Sequence, residues 1–243
     1  MQRVVVVGAG GGIGREVCRR IVAAGGTVVA CGRRAEPLLA LKAELPAAVE
    51  VRELDATNAE AVSAMLETVA GSAPITGVAN LAGAFLLKPA HLTSPAELNE
   101  QIAQNLTTAF NVVRGASKAM MNTGGSIVLM SSVAAKVGLA SHEAVAATKA
   151  AVEGLARSAA ASYAARGIRV NVVAPGLTRT PLTERITGNE ASLKISVAMH
   201  PLGRIGEPPD IASAIMWLLS PESGWVTGQT IGVDGGLGNV RAR

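Results

Sequence analysis

The segment from Ser131 to Lys149, SSVAAKVGLASHEAVAATK, brings a hydroxyl, an imidazole and an ammonium into one short stretch. It follows GGSIVLM, whose β-branched and apolar residues predict a buried strand over Ser126 to Met130. Ser131 and Ser132 therefore stand at a strand's carboxyl end. Ser141 is expected to cap a helix beginning at His142, with Glu143 in its positive first turn. On that helix His142, Val145 and Lys149 are spaced i, i+3, i+7 and share one face. Such a set can orient a carbonyl oxygen and move a proton, but the middle of the face is valine, which does neither.

The elements that must position these groups alternate along the chain. Val4 to Val7 is an apolar run; glycines follow, and then Ile13, Val17, Ile21 and Val22 make a helical stripe. Further strands are predicted over Thr27 to Cys31, Val49 to Leu54, Gly77 to Asn80, Ile168 to Val173 and Thr230 to Val233. Helices are predicted over Glu36 to Leu45, Ala59 to Ala70, His142 to about Ala165 and about Pro209 to Leu219. A long helix from about Pro95 to Met121 completes the set, with Ser94 as N-cap and Pro95 at its first position. Alternation of this kind means an α/β fold: an open, doubly wound parallel sheet with helices on both faces, its ligands held at the strands' carboxyl ends. With 243 residues and no linker or low-complexity stretch, a single domain over residues 1–243 is expected.

Composition narrows the function classes. Lys and Arg are scattered at a formal net charge of +4, and only two Trp, two Phe and one Tyr are present to stack on bases, which argues against nucleic acid. Cys18 and Cys31 form neither a disulfide framework nor a zinc set, which fits a reducing cytoplasm. The apolar run at the N-terminus is too short for a signal peptide, and no segment approaches the ~20 residues of a membrane span. His91 and His200 lie in loops without metal-ligand spacing and read as incidental, so no metal site is expected.

The first turn carries a cofactor signal. Gly8, Gly12 and Gly14 give a G-x-x-x-G-x-G spacing between strand and helix, with Gly10 as a further permissive position and Ile13 between the last two glycines. Side chains there would keep a pyrophosphate from the helix N-terminus, whose free N–H groups and dipole attract it. About twenty residues on, where an acid would hold the ribose of NAD, the chain reads Gly32, Arg33, Arg34. Arginines at that place suit a 2′-phosphate, so NADP is expected and NAD is the weaker candidate.

On these residues the whole chain resembles the short-chain dehydrogenase/reductase family. The matching stretches are VVVVGAGGGIGRE, LDAT with Asp55, NLAG with Asn80, Ala82 and Gly83, QNLTTAF with Asn105, GGSIVLMSS with Ser132, VNVVAPGLTRTPL, HPLGRIGEPPDIA and VTGQTIGVDGG. The resemblance implies a Rossmann-type sheet, with Asp55 touching adenine and the Asn80, Ala82 and Gly83 stretch lying along the cofactor ribose. It further implies Pro175 and Gly176 at the nicotinamide end and Thr180 at the carboxamide. Asn105, Ser132 and Lys149 match three members of the family's catalytic tetrad, and Lys149 would also bind the nicotinamide ribose. The fourth member, a tyrosine thirteen residues after the serine and four before the lysine, is Val145 here. The only tyrosine, Tyr163, is followed four residues later by Gly167 and reads as structural.

Alternatives stay open at this stage. His142 is either a replacement proton donor, its neutral form favoured by the helix N-terminus, or a solvent-exposed helix-start histidine. The chain is then either an NADP-dependent oxidoreductase acting on a carbonyl or hydroxyl of a small, partly apolar substrate, or a cofactor-binding sensor or subunit without chemistry. A lyase or isomerase that holds its cofactor without net turnover is a third class. Residues 176–206, with Leu177, Leu182, Ile186, Leu193, Ile195, Val197 and Met199, read as an apolar-walled substrate lid. The family resemblance also implies a homodimer or homotetramer built on the Pro95–Met121 and His142–Ala165 helices and the VDGG segment.

Overall fold

The structure, a computed structural model, describes residues 2–240. Its strands are Arg3–Val7 (β1), Thr27–Gly32 (β2), Val49–Glu53 (β3), Gly77–Asn80 (β4), Gly125–Met130 (β5), Ile168–Pro175 (β6) and Thr230–Val233 (β7). They form one parallel sheet in the order β3-β2-β1-β4-β5-β6-β7. Strand order reverses between β1 and β4, which opens a crevice at their carboxyl ends.

The continuous apolar run of β1 is explained by burial on both faces. Val4 and Val6 pack toward the layer of Gly12–Ala23 (α1), Ala35–Glu44 (α2) and Pro208–Leu219 (α9), against Val17, Ile21 and Ile215. Val5 and Val7 pack toward Ala59–Ser72 (α3), Thr108–Ala119 (α5) and Glu143–Tyr163 (α6), against Leu66, Val112 and Val152. Tyr163 is partly buried against this second core. No helix among the described residues is long and apolar enough to cross a membrane.

Two local expectations are corrected. The helix predicted over Pro95 to Met121 is not continuous: Pro95–Gln101 (α4), started by a Ser94–Glu97 capping box, passes into a π-helical turn, Ile102–Thr107, before α5. The wider turn contains Asn105, whose amide reaches out to the backbone of Ala84 and the hydroxyl of Thr148, and such turns gather where a side chain must be re-aimed. Ser141 does not cap α6. Its carbonyl accepts the Lys88 N–H at 2.8 Å, its φ is +61°, and His142 occupies the N-cap position with no side-chain bond to the helix. Glu143 does lie in the first turn.

Residues 176–206 are more regular than expected, carrying two short helices, Glu184–Thr187 (α7) and Glu190–Met199 (α8), the second capped by Asn189. Beyond them, the edge of the sheet is held by Asn171 on β6, which is fully buried. Its Nδ2 donates to the Val226 carbonyl at 2.8 Å and its Oδ1 accepts the Gln229 N–H at 3.0 Å, fixing the loop that leads into β7. Asn171→Ala leaves the Gln229 N–H without a partner and the Val226 carbonyl with only the longer Arg169 Nη1 bond at 3.4 Å, and should cost about 1 to 3 kcal/mol. Urea denaturation measures this, and an unchanged midpoint would show that the loop holds β7 without Asn171.

Candidate active site

The phosphate end of the crevice is made by close backbone approach. Gly8 has φ +84°, and a Cβ there would stand 2.7 Å from the Ala82 nitrogen. A Cβ on Gly14 would stand 2.2 Å from the Gly8 carbonyl oxygen, so α1 and β1 meet only because both positions are glycine. The N-cap of α1 is Gly11, which supplies no side-chain cap, and its first turn holds no acid. The helix therefore presents bare N–H groups and positive dipole to whatever enters, a cradle suited to an anion. Thr180 packs beside Gly12, bringing the segment after β6 against the same turn.

Around this turn the structure gathers Asn80, Ala82, Gly83, Pro175 and Gly176 at the ends of β4 and β6. Asn80 is buried, its Oδ1 accepting the Ala82 N–H at 3.3 Å. Arg33 and Arg34 lie exposed just beyond β2, with Arg34 at the N-cap of α2. Asp55 is exposed nearby. The N–H and hydroxyl of Thr57 donate to its carboxylate at 3.0 and 2.8 Å and hold it below the usual range, with the Arg33 charge adding to the effect. A bare helix end, a side-chain-free cradle and two free guanidinium groups fit a dinucleotide with an extra phosphate.

The reactive end is a cavity of about 470 Å³ at the carboxyl ends of β4, β5 and β6. Ile13, Ala82, Gly83, Ser132, His142, Val145, Lys149, Pro175, Gly176 and Thr180 all line it. Lys149 is buried and donates from Nζ to the Met130 carbonyl at 2.9 Å. No carboxylate among the described residues pairs with it. Burial pushes its ammonium from 10.5 down to about 8. Val145, one turn earlier on α6, is buried in the cavity wall. Ser132 Oγ accepts the Ala134 N–H at 3.2 Å, which leaves its own hydrogen free to donate.

His142 is half-buried, its ring edge-on to Phe85 at 5.7 Å. Nδ1 lies 2.8 Å from the Ala140 carbonyl, and since a carbonyl only accepts, the proton is assigned to Nδ1. Nε2 then carries the lone pair, on a ring that lines the cavity. Asn105 stands apart from the cavity lining. Its Oδ1 accepts the Ala84 N–H at 3.0 Å, and its Nδ2 lies within 3.2 to 3.3 Å of the Ala84 carbonyl, Gln101 Oε1 and Thr148 Oγ1. A Cβ on Gly83 would lie 2.9 Å from Asn105 Oδ1 and 3.2 Å from Lys149 Nζ, so the glycine separates the amide from the ammonium.

His200 is not incidental, as its loop position suggested. It is buried, its Nδ1–H donates to the Ser196 carbonyl at 2.6 Å, and its Nε2 accepts the Leu177 N–H at 3.2 Å. The ring thus ties the end of α8 to the turn after β6, and a Cβ on Gly176 would come within 2.6 Å of Nε2. Both partners are backbone groups, so no side-chain motif could have announced the contact. Ser131 was read only as part of the strand end; its hydroxyl donates to Glu153 Oε1 at 2.8 Å and contacts the Lys149 carbonyl at 3.1 Å, holding α6 against β5.

A family model described as enoyl-(acyl carrier protein) reductase matches residues 8–238. The chain is 37% identical over 235 residues to galactitol 2-dehydrogenase (L-tagatose-forming) of Cereibacter sphaeroides, covering 95% of this chain and 92% of that protein. The chain belongs to the short-chain dehydrogenase/reductase family. The (3R)-3-hydroxyacyl-CoA dehydrogenase of Canis lupus familiaris is 36% identical, with 96% of this chain and 95% of that one covered. Among solved structures, a short-chain type dehydrogenase/reductase from Mycobacterium ulcerans superposes with a TM-score of 0.94 at 32% identity, covering 99% of this chain and 91% of that one. ElxO with NADP bound gives 0.91 at 26% identity, covering 97% and 98%. Relatives named for such different substrates do not by themselves choose one for this chain.

The buried ammonium of this short-chain dehydrogenase/reductase has a measurable signature. Its folded pKa, about 8, lies below the unfolded 10.5, so between those values the unfolded chain holds the extra proton and stability from this group rises with pH. Below about pH 8 the burial cost is fully present. Across that window the stability of the wild type should rise relative to Lys149→Met in cofactor-free protein. A difference that does not change with pH would mean the ammonium is solvated.

Proposed function

We propose that this chain is an NADP(H)-dependent oxidoreductase that interconverts a carbonyl and a hydroxyl on a small, partly apolar molecule, using a proton carrier other than tyrosine. The observation that carries this reading is that the cavity holding Ser132 and Lys149 is also lined by Ile13, in the bare first turn of α1, and by Thr180, which packs at Gly12. The Gly8–Gly14 turn, Asn80, Lys149 and Thr180 would hold the cofactor, with Arg33 and Arg34 on its 2′-phosphate, in keeping with the NADP held by ElxO. When bound, NADP(H) supplies or accepts the hydride.

The remaining work falls to side chains. Ser132 donates a hydrogen bond to the substrate oxygen and fixes it at the strand end. In the oxidative direction the lone pair on His142 Nε2 takes the hydroxyl proton, directly or through a water. In the reductive direction the same nitrogen, once protonated, returns it. Residues 176–206 act as the lid, hinged where His200 holds Leu177. A second reading, a cofactor-binding protein without turnover, draws support from one fact: the wall at Val145 is apolar and closed where the family resemblance puts its acid.

Arg33→Ala should weaken NADP(H) binding about tenfold or more, by the loss of a charge-assisted bond of about 1.5 to 3 kcal/mol, while leaving NAD(H) unchanged. Calorimetric titration of both cofactors measures it, and an NAD preference in the wild type would end the 2′-phosphate reading. His142→Ala should lower kcat by ~10² and remove one limb of the pH profile, whereas an idle histidine at a helix start costs almost nothing. If Val145→Tyr turns an inert, cofactor-binding protein into a carbonyl reductase, the reading without turnover replaces the one proposed.

A further inference from the structure

The cavity is polar only at one edge. Among the described residues no Asp, Glu or Arg lines it, and its one formal charge there, Lys149, gives one of three N–H donors to the Met130 carbonyl and stands where the cofactor ribose would take the others. Most of its hydroxyls are spent on neighbours. Thr178 Oγ1 donates to the Gly176 carbonyl at 3.2 Å, Thr183 Oγ1 to the Thr178 carbonyl at 2.6 Å, and Ser196 Oγ to the Ser192 carbonyl at 2.9 Å. Thr180 Oγ1 meets Thr183 Oγ1 at 3.2 Å, and both nitrogens of His200 are taken. The Ser132 hydrogen, the Ser192 hydroxyl and His142 Nε2 remain to address a ligand.

The opposite wall has the reverse character. Leu87, Leu182, Ile195 and Met199 line the same cavity yet are 50%, 56%, 64% and 41% exposed. Large apolar side chains scattered singly over a surface need no explanation, but four around one cavity mouth form a patch that an apolar ligand would cover. Two come from the segment carrying α8, one precedes α7, and one lies on the loop after β4.

Resting on the oxidoreductase reading above, we infer that the substrate is an electrically neutral ketone or secondary alcohol whose single reacting oxygen sits on a hydrocarbon body, alkyl or alicyclic. Its oxygen meets Ser132 and His142, and its body lies against Leu87, Leu182, Ile195 and Met199. Polyols are disfavoured because a hydroxyl laid against Leu87, Leu182, Ile195 and Met199 would exchange water for an apolar wall, losing roughly tenfold in affinity for each one left without a partner. Carboxylates and phosphates are disfavoured because, among the described residues, no cation but Lys149 lines the cavity, and Lys149 is placed to hold the cofactor. The relatives act on a hexitol and on an acyl-CoA, so this assignment rests on the side chains of this cavity alone.

The test is equilibrium binding to the NADPH-loaded protein by calorimetry, using 2-butanone, 2-hexanone, 2-heptanone, 2-octanone and 2-decanone. 6-Oxoheptanoate, galactitol and acetoacetyl-CoA serve as the charged and polyhydroxyl probes. Affinity should rise about threefold to fourfold per methylene until the cavity fills. 6-Oxoheptanoate should bind at least tenfold more weakly than 2-heptanone. Ile195→Asp should flatten the rise while leaving NADPH affinity unchanged. A flat series, or tighter binding of 6-oxoheptanoate, galactitol or acetoacetyl-CoA than of every ketone, would overturn the inference. Because binding is read without turnover, the two readings fail separately. Ketones that bind with this slope but never oxidise NADPH uphold the substrate class and sink the oxidoreductase; turnover confined to galactitol or acetoacetyl-CoA does the reverse.

Discussion

A buried ammonium with no carboxylate paired to it among the described residues is the constraint on which the reactive end depends. Lys149 donates to the Met130 carbonyl, and burial holds it at about 8. Leaving a charge in such a place is expensive unless something else gathers around it. Here Gly83 lets the β4 loop pass within contact of Nζ, Ser131 clamps the carbonyl of Lys149 to β5, and the Asn105 amide fastens the same loop from behind. A core that merely needed filling would have put leucine or methionine at 149. The retention of lysine is economical if a ligand completes its surroundings, and the ribose hydroxyls implied by family resemblance are such a ligand.

The site divides along its length into two electrostatic regimes. At the α1 end, bare helix N–H groups and two exposed guanidinium groups present positive charge to solvent, where a phosphate binds through charge-assisted bonds. At the β5 and β6 end, hydroxyls turn inward to backbone carbonyls and the outer wall is leucine, isoleucine and methionine. The first regime suits an anionic cofactor and the second a neutral organic molecule. His142 lines the cavity, with its proton assigned to Nδ1 by the Ala140 carbonyl and the lone pair left on Nε2.

Much of this was legible in the chain. Two-sided burial makes parallel strands read as continuous apolar runs, so VVVV, TVVAC and GSIVLM declared themselves, and the glycine spacing declared the phosphate turn. The loss of tyrosine at Val145 was visible because the serine and lysine on either side kept their register. What escaped detection depends on long-range backbone partners. The π turn at Asn105 answers to Ala84 and Thr148, the left-handed Ser141 to the Lys88 N–H, and the buried ring of His200 to Leu177 and Ser196. None of these partners leaves a periodicity or motif. The character of the cavity was half legible: apolar residues in 176–206 were expected to wall it, but only the structure shows that most of its hydroxyls already donate to neighbours.

The central claim is that hydride transfer persists in a cleft without the family's tyrosine. The most direct measurement is to supply NADPH carrying deuterium at C4, in each stereochemical form, with a panel of alkyl and alicyclic ketones, and to follow the label by mass spectrometry. The account expects deuterium from one form only to appear on the carbinol carbon of a product, and the transfer to slow about a hundredfold in His142→Ala. Tight NADPH binding with no label leaving the nicotinamide, in wild type and variant alike, would contradict it and leave a cofactor-binding protein without chemistry.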